Sequence, residues 1–170
     1  TLMRSSAASD VYKRQGNHPA VIGWQIDNEP GHYGVVDYSE NAQAKFRIWL
    51  QKKYGTIDKL NDTWGASFWS ETYQNFEQVR LPNQQEVPDK ANPHAMLDLN
   101  RFMADELAGF VNMQADILRR HIHKDQWITT NLIPIFNPVD PVRIDHPDFL
   151  TYTRYLVTGH NQGIGSQGFR

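Results

Sequence analysis

An α/β fold of parallel βα units is what this sequence predicts, and three observations carry it. First, Val21-Ile22-Gly23-Trp24-Gln25-Ile26 is a short apolar run that stops at Asp27-Asn28-Glu29, as a strand stops where its loop begins. Second, helical patterning fills most of the chain to about residue 122, and another apolar run, Trp127-Ile128-Thr129-Thr130-Asn131-Leu132, follows it. Strands alternating with helices argue for a parallel sheet rather than for hairpins. Third, a carboxylate beside an amide at a strand's end is how a (β/α) barrel presents polar side chains at its C-terminal face. The 170 residues fall well short of the roughly 250 of a closed barrel. The expected fold is therefore a partial TIM (β/α)8 barrel.

Each element has its own signal. Thr1 to Gln15 has neither apolar periodicity nor the apolar core of a signal peptide; it resembles translated sequencing-adapter sequence, so residues 1–15 are expected to be non-native and the folded segment to be 16–170. Val21–Ile26, preceded by His18-Pro19, is the first strand. Ser39 is placed to cap a helix in which Ala42, Phe46, Trp49 and Leu50 recur at helical spacing, with Gly55 as its stop. Thr56 caps a second short helix, Ile57–Thr63, ended by Gly65. Residues 66–91 are polar and irregular, with Phe68, Trp69, Tyr73 and Phe76 among them; so long a loop is usually functional or packed on something.

Asn92-Pro93 starts the longest helix, a capping residue followed by Pro at the first helical position. Its expected apolar stripe is Leu99, Phe102, Met103, Phe110, Met113 and Ile117, with Leu107 standing in for the charged Glu106, and it runs to about Ile122. Trp127–Leu132 is the second strand and Phe149–Tyr155 the third. The chain stops in the glycine-rich stretch Gly163–Arg170, so neither true terminus is expected to be present and no targeting signal can be read.

Composition removes several function classes. With 17 Lys+Arg against 19 Asp+Glu, a formal charge of −2, there is no electrostatic reason to expect nucleic acid or an anionic membrane as partner. No apolar run approaches the roughly 18 residues of a membrane span. There is no cysteine, which excludes disulfides and thiolate metal sites and leaves the compartment open, a cytoplasmic location being the working expectation. His18, His32, His94, His121, His123, His146 and His160 are scattered; the one close pair, His121 and His123, closes a helix, where the dipole favours it. No His-Glu-x-x-His run and no Gly-x-Ser-x-Gly elbow occurs, so neither a metal, another cofactor nor a serine nucleophile is expected.

Glu29 is the candidate proton-transfer residue. Cleaving a glycosidic bond takes one protonated carboxyl near the leaving oxygen and a second carboxylate across the anomeric carbon. An arbitrary Glu at a strand–loop junction is a surface residue; the Asp27-Asn28-Glu29 cluster after an apolar strand is what raises this one above that background. Asn28 can hold a sugar hydroxyl, since its amide both donates and accepts, although an Asn in a turn needs no function. Trp69 offers a flat apolar face for a sugar ring and equally suits a residue packed under the long loop. His32 and Tyr33 follow Glu29 closely enough to reach its site.

These residues resemble a known family. Gly23-Trp24-Gln25-Ile26-Asp27-Asn28-Glu29 is similar to the acid/base strand of family 42 glycoside hydrolases, β-galactosidases of a large retaining clan of (β/α)8 barrels. Asn-Glu at the end of the fourth strand is shared across that clan. Phe46 to Gly55, Leu60-Asn61-Asp62-Thr63-Trp64-Gly65 and Phe68-Trp69-Ser70 resemble the insertion that distinguishes the family. The resemblance covers about Asn17 to Gly168 and implies barrel strands 4 to 6 with a helical insertion after strand 4. It implies that Glu29 is the catalytic acid/base, that Asn28 and Trp69 bind galactose, and that Tyr155 contacts substrate, with Tyr152 close by. It implies a β-galactoside as substrate and a homotrimeric parent. It also implies a nucleophile on the seventh strand, beyond Arg170, so that this chain by itself is inactive. The cysteine-bound zinc of some members has no ligands here. Another β-glycosidase of the clan, such as an arabinopyranosidase, and a non-catalytic carbohydrate-binding remnant remain open alternatives.

Overall fold

The computed structural model describes residues 14–31, 36–83, 92–133 and 139–153. The chain divides into two compact units, one formed by Thr1–Tyr33 with Leu107–Arg170 and one by Gly34–Glu106.

The first unit holds the sheet. Strands β1 (Gly23–Gln25), β2 (Trp127–Leu132) and β3 (Phe149–Tyr152) lie in the order β1-β2-β3, all parallel. The register pairs Gly23 with Trp127 and Gln25 with Thr129, then Thr129 with Phe149 and Leu132 with Tyr152. The sheet is open, as a piece of a (β/α)8 barrel is. β1 is shorter than the apolar run that announces it; its flanking residues still bond β2, the Ile22 carbonyl accepting from the Trp127 N–H at 3.3 Å and the Ile26 N–H donating to the Thr129 carbonyl at 2.8 Å.

Alternation along β2 gives each face a job. Ile128 and Leu132 are fully buried and pack with Ala108, Val111, Ala115 and Leu118 of the long helix α3 (Pro93–Arg119). Trp127 and Asn131 point to the opposite face. The expected stripe of α3 is therefore corrected in its C-terminal half. Phe110 and Met113 are each 49% exposed and Ile117 39%, while the small residues Ala108 and Ala115 face the strands. Ranking positions by side-chain size misses this, because small residues are what let a helix lie close on a sheet. Between β2 and β3 the described residues contain one 3-10 turn, Pro141–Arg143. No helix among the described residues is long and apolar enough to cross a membrane.

The second unit is helical. In α1 (Glu40–Tyr54), Ser39 Oγ accepts from the Ala42 N–H at 3.2 Å, Asp37 braces Ser39, and Gly55 ends the helix. Glu40 in the first turn and Lys52 and Lys53 in the last complement the helix dipole. Phe46, Leu50 and Tyr54, spaced by four, form its buried face. In α2 (Ile57–Trp64), Thr56 caps the start and Gly65 takes the left-handed conformation that closes the end, φ 59°. Asn92 caps α3, accepting from the His94 N–H at 3.0 Å, and its amide nitrogen also binds the Trp64 carbonyl. These helices and the 3-10 turn Phe76–Gln78 close around Phe46, Leu50, Leu60, Trp64, Val79 and Leu99. At about 1.5–3 kcal/mol for each fully buried large side chain, that cluster outweighs any single cap.

Candidate active site

Where β1 ends, the backbone turns sharply. Asp27 and Glu29 have φ of 54° and 50°. Among the described residues only Ser70 shares that left-handed conformation without being glycine. Holding a non-glycine residue there costs about 1–3 kcal/mol, so surrounding groups must impose it. Asp is tolerated in this region, whereas Glu has no local side-chain device to favour it.

The Glu29 peptide is bound from β2, about a hundred residues along the chain. The carboxamide oxygen of Asn131 accepts the Glu29 N–H at 3.1 Å and Gln25 Nε2 at 2.9 Å. Its nitrogen donates to Asn28 Oδ1 at 3.2 Å and to Thr153 Oγ1 at 2.7 Å. Two acceptor and two donor positions are the whole capacity of a primary amide, so Asn131 is saturated. It ties residues from the ends of all three strands into one cluster. Asp27 adds a local brace, accepting the Asn28 N–H at 2.8 Å and Gln114 Nε2 of α3 at 3.5 Å.

The other end of this sheet face is apolar. A Cβ on Gly23 would lie 2.0 Å from the Trp127 ring, so glycine is required there for close approach. Trp127 in turn packs against Phe149, ring centroids 5.3 Å apart. The face thus runs from an aromatic floor to a polar rim at the C-terminal ends of the strands, where barrel enzymes bind their ligands.

Of the expected site residues, Asn28 and Glu29 share this rim, Asn28 exposed and Glu29 half-buried. Trp69 belongs to the second unit, half-buried, with its ring edge-on to Phe68 at 5.3 Å. Tyr155 lies outside the described residues, as do His32, Tyr33, residues 1–13 and the glycine-rich tail. Asn131 was not anticipated. The rule that singles out Glu29, a polar side chain where an apolar strand runs out, does not reach Asn131, which lies inside β2 and is followed by Leu132 and Ile133.

The second unit has a polar cluster of another kind. Asp98 of α3, 1% exposed, accepts from Lys53, from the Tyr54 hydroxyl, from Trp64 Nε1 at 3.0 Å and from Arg101 at 3.3 Å. Burial pushes its carboxyl up, but the donors Lys53, Tyr54 and Trp64 outweigh that and hold it below the usual range. Burial, and then the bond to Asp98, raise the Tyr54 hydroxyl to about 12.

A family model described as "Beta-galactosidase", that of glycoside hydrolase family 42, matches residues 3–167. β-Galactosidase BgaA of Thermus sp is 39% identical over 145 residues, which are 84% of this chain and 22% of that protein. β-Galactosidase LacZ of Heyndrickxia coagulans is 38% identical over 130 residues, 76% of this chain and 19% of its own length. The crystal structure of the β-galactosidase from the psychrophilic Marinomonas ef1 superposes with a TM-score of 0.77 at 37% identity, over 86% of this chain and 22% of that one. The β-galactosidase of the haloarchaeon Halorubrum lacusprofundi gives 0.78 at 30% identity, over 89% and 23%. The chain thus spans about a fifth of the length of the relatives it matches. With a family model matching nearly its whole length and a partial-barrel sheet like that of solved relatives, the chain belongs to the β-galactosidases of glycoside hydrolase family 42, as a segment of the longer proteins in that family.

Proposed function

We propose that residues 16–170 are the part of a retaining β-galactosidase's catalytic barrel that carries its acid/base carboxyl, Glu29. In the first step Glu29 gives its proton to the glycosidic oxygen as a carboxylate attacks the anomeric carbon; the aglycone leaves as an alcohol and a galactosyl ester forms. In the second step the Glu29 carboxylate takes a proton from water, whose oxygen attacks the same carbon and releases galactose and the free nucleophile. The nucleophile lies outside this chain, roughly 5–5.5 Å from Glu29 in the assembled barrel, the separation retention requires. Asn28 donates to a galactose hydroxyl, its carbonyl oxygen being engaged by Asn131. Trp69 and Tyr155 are the further substrate-binding residues proposed, on the resemblance to the family.

The observation that carries this reading is the position of Glu29 at the C-terminal end of β1, on a strained turn braced by Asn131, inside a segment matched by the β-galactosidase family model. In the full-length protein, Glu29→Gln is expected to slow hydrolysis of alkyl galactosides by about 10²–10⁴-fold, the usual worth of general acid catalysis. A near-wild-type rate on lactose would sink the assignment. The 170-residue chain alone is expected to show no turnover, and measurable activity from it would overturn the division of the two carboxylates.

A further inference from the structure

We infer that Asn131 is a positioning residue for proton transfer: its carboxamide holds the Asp27–Glu29 turn in its left-handed conformation and so aims the Glu29 side chain. The inference rests on the reading of Glu29 as acid/base and adds to it the group that sets its geometry.

Two features of the cluster carry it. The strain is concentrated in Asp27 and Glu29, φ 54° and 50°, and the Glu29 peptide N–H binds Asn131 Oδ1 at 3.1 Å. Where a residue's φ is unfavourable, its Cα–Cβ direction is only as well defined as the bonds that hold its peptide. Asn131 is in turn fixed from both sides, by Gln25 on β1 and by Thr153 after β3. A rotation of its amide would break four bonds at once, so it has one orientation. The same amide sets that of Asn28 beside Glu29. Releasing it lets the turn relax toward ordinary backbone, and a displacement of about 1 Å at a proton-transfer group costs on the order of 10²-fold in rate.

Leaving-group dependence separates positioning from simple loss of folded enzyme. The full-length protein is assayed with methyl β-galactoside, whose departure needs protonation, and with 2,4-dinitrophenyl β-galactoside, whose departure does not. Asn131→Ala is expected to lower kcat/KM for the methyl substrate about 10²-fold more than for the dinitrophenyl one. Asn131→Asp keeps the size and both acceptor positions but loses the donors to Asn28 and Thr153, and is expected to show a smaller selective loss; it also serves if the alanine variant does not fold. In a Glu29→Ala background, Asn131→Ala is expected to add nothing to the selective loss. Equal losses on both substrates, or an additive selective loss in the double variant, overturn the inference while leaving Glu29 in its role. If Glu29→Ala itself shows no selectivity between the substrates, the acid/base reading falls and the inference falls with it.

Discussion

Asp98 and Glu29 are both carboxylic acids, and they sit in different settings. Asp98 is gripped through its carboxylate oxygens by Lys53, Tyr54, Trp64 and Arg101, in the interior of the helical unit. Glu29 is gripped through its peptide N–H, by an amide on the neighbouring strand, at the open rim of the sheet. A carboxylate saturated with donors is stabilised as an anion and contributes to the fold; it is a poor proton carrier because giving it a proton breaks what holds it. In the proposed function the first of these residues serves stability and the second serves chemistry.

The largest expected effect falls on the buried cluster. Asp98→Ala leaves Lys53 without its partner and two donors, on Tyr54 and Trp64, unsatisfied, at a cost of about 3–5 kcal/mol. Native-state hydrogen exchange of the α1 amides measures it; a loss below about 1 kcal/mol would break the comparison. The pH dependence has a definite sign on each side. Because the folded pKa of Asp98 is depressed, its contribution is present above about pH 4 and lost as pH falls through the folded value. Because that of Tyr54 is raised to about 12, its contribution is complete below about pH 10 and lost as pH rises toward 12. Asp98→Asn should flatten the acid limb and reduce the alkaline one only in part, since burial, the larger cause of the Tyr54 shift, remains; an unchanged acid limb would place its titrating group elsewhere.

A smaller effect tests whether the sheet face is as tightly built as the helical core. Gly23→Ala drives a methyl into the Trp127 ring and is expected to cost about 1–3 kcal/mol. Shortening the ring with Trp127→Leu should recover part of that loss, and full additivity of the two changes would argue against the contact. The smallest effect sharpens the contrast most. Asn131→Asp removes two donor bonds at a partly exposed rim, so its stability cost is expected to be about 1 kcal/mol, although it disturbs the proposed chemistry. If it destabilises as much as Asp98→Ala does, the rim cluster is a structural device like the other.

Much of this was legible residue by residue. Ser39 and Gly55, Thr56 and Gly65, and Asn92-Pro93 bracket three helices because capping obeys local rules, needing only a side-chain oxygen or a left-handed residue within a few positions of the end. Apolar runs located all three strands, and the first of them, stopping at Asp27-Asn28-Glu29, brought out Asn28 and Glu29. The buried face of α3 was half legible. Leu99 and Phe102 obey hydropathy, whereas Ala108 and Ala115 are chosen by the nearness of the sheet, which periodicity does not encode.

The sequence by itself determined the α/β class, the helix ends, the strand positions and the family, because each follows from short-range patterns read within a few residues. Only the tertiary structure decided that Gly23 must lack a side chain, that Asp98 among the four carboxylates of α3 is the buried one, and that Asn131 ties the rim together. Those facts depend on pairs brought together across 22 to 106 positions of chain. The strand register and the packing of helices create such pairs, and no local pattern of residues contains them.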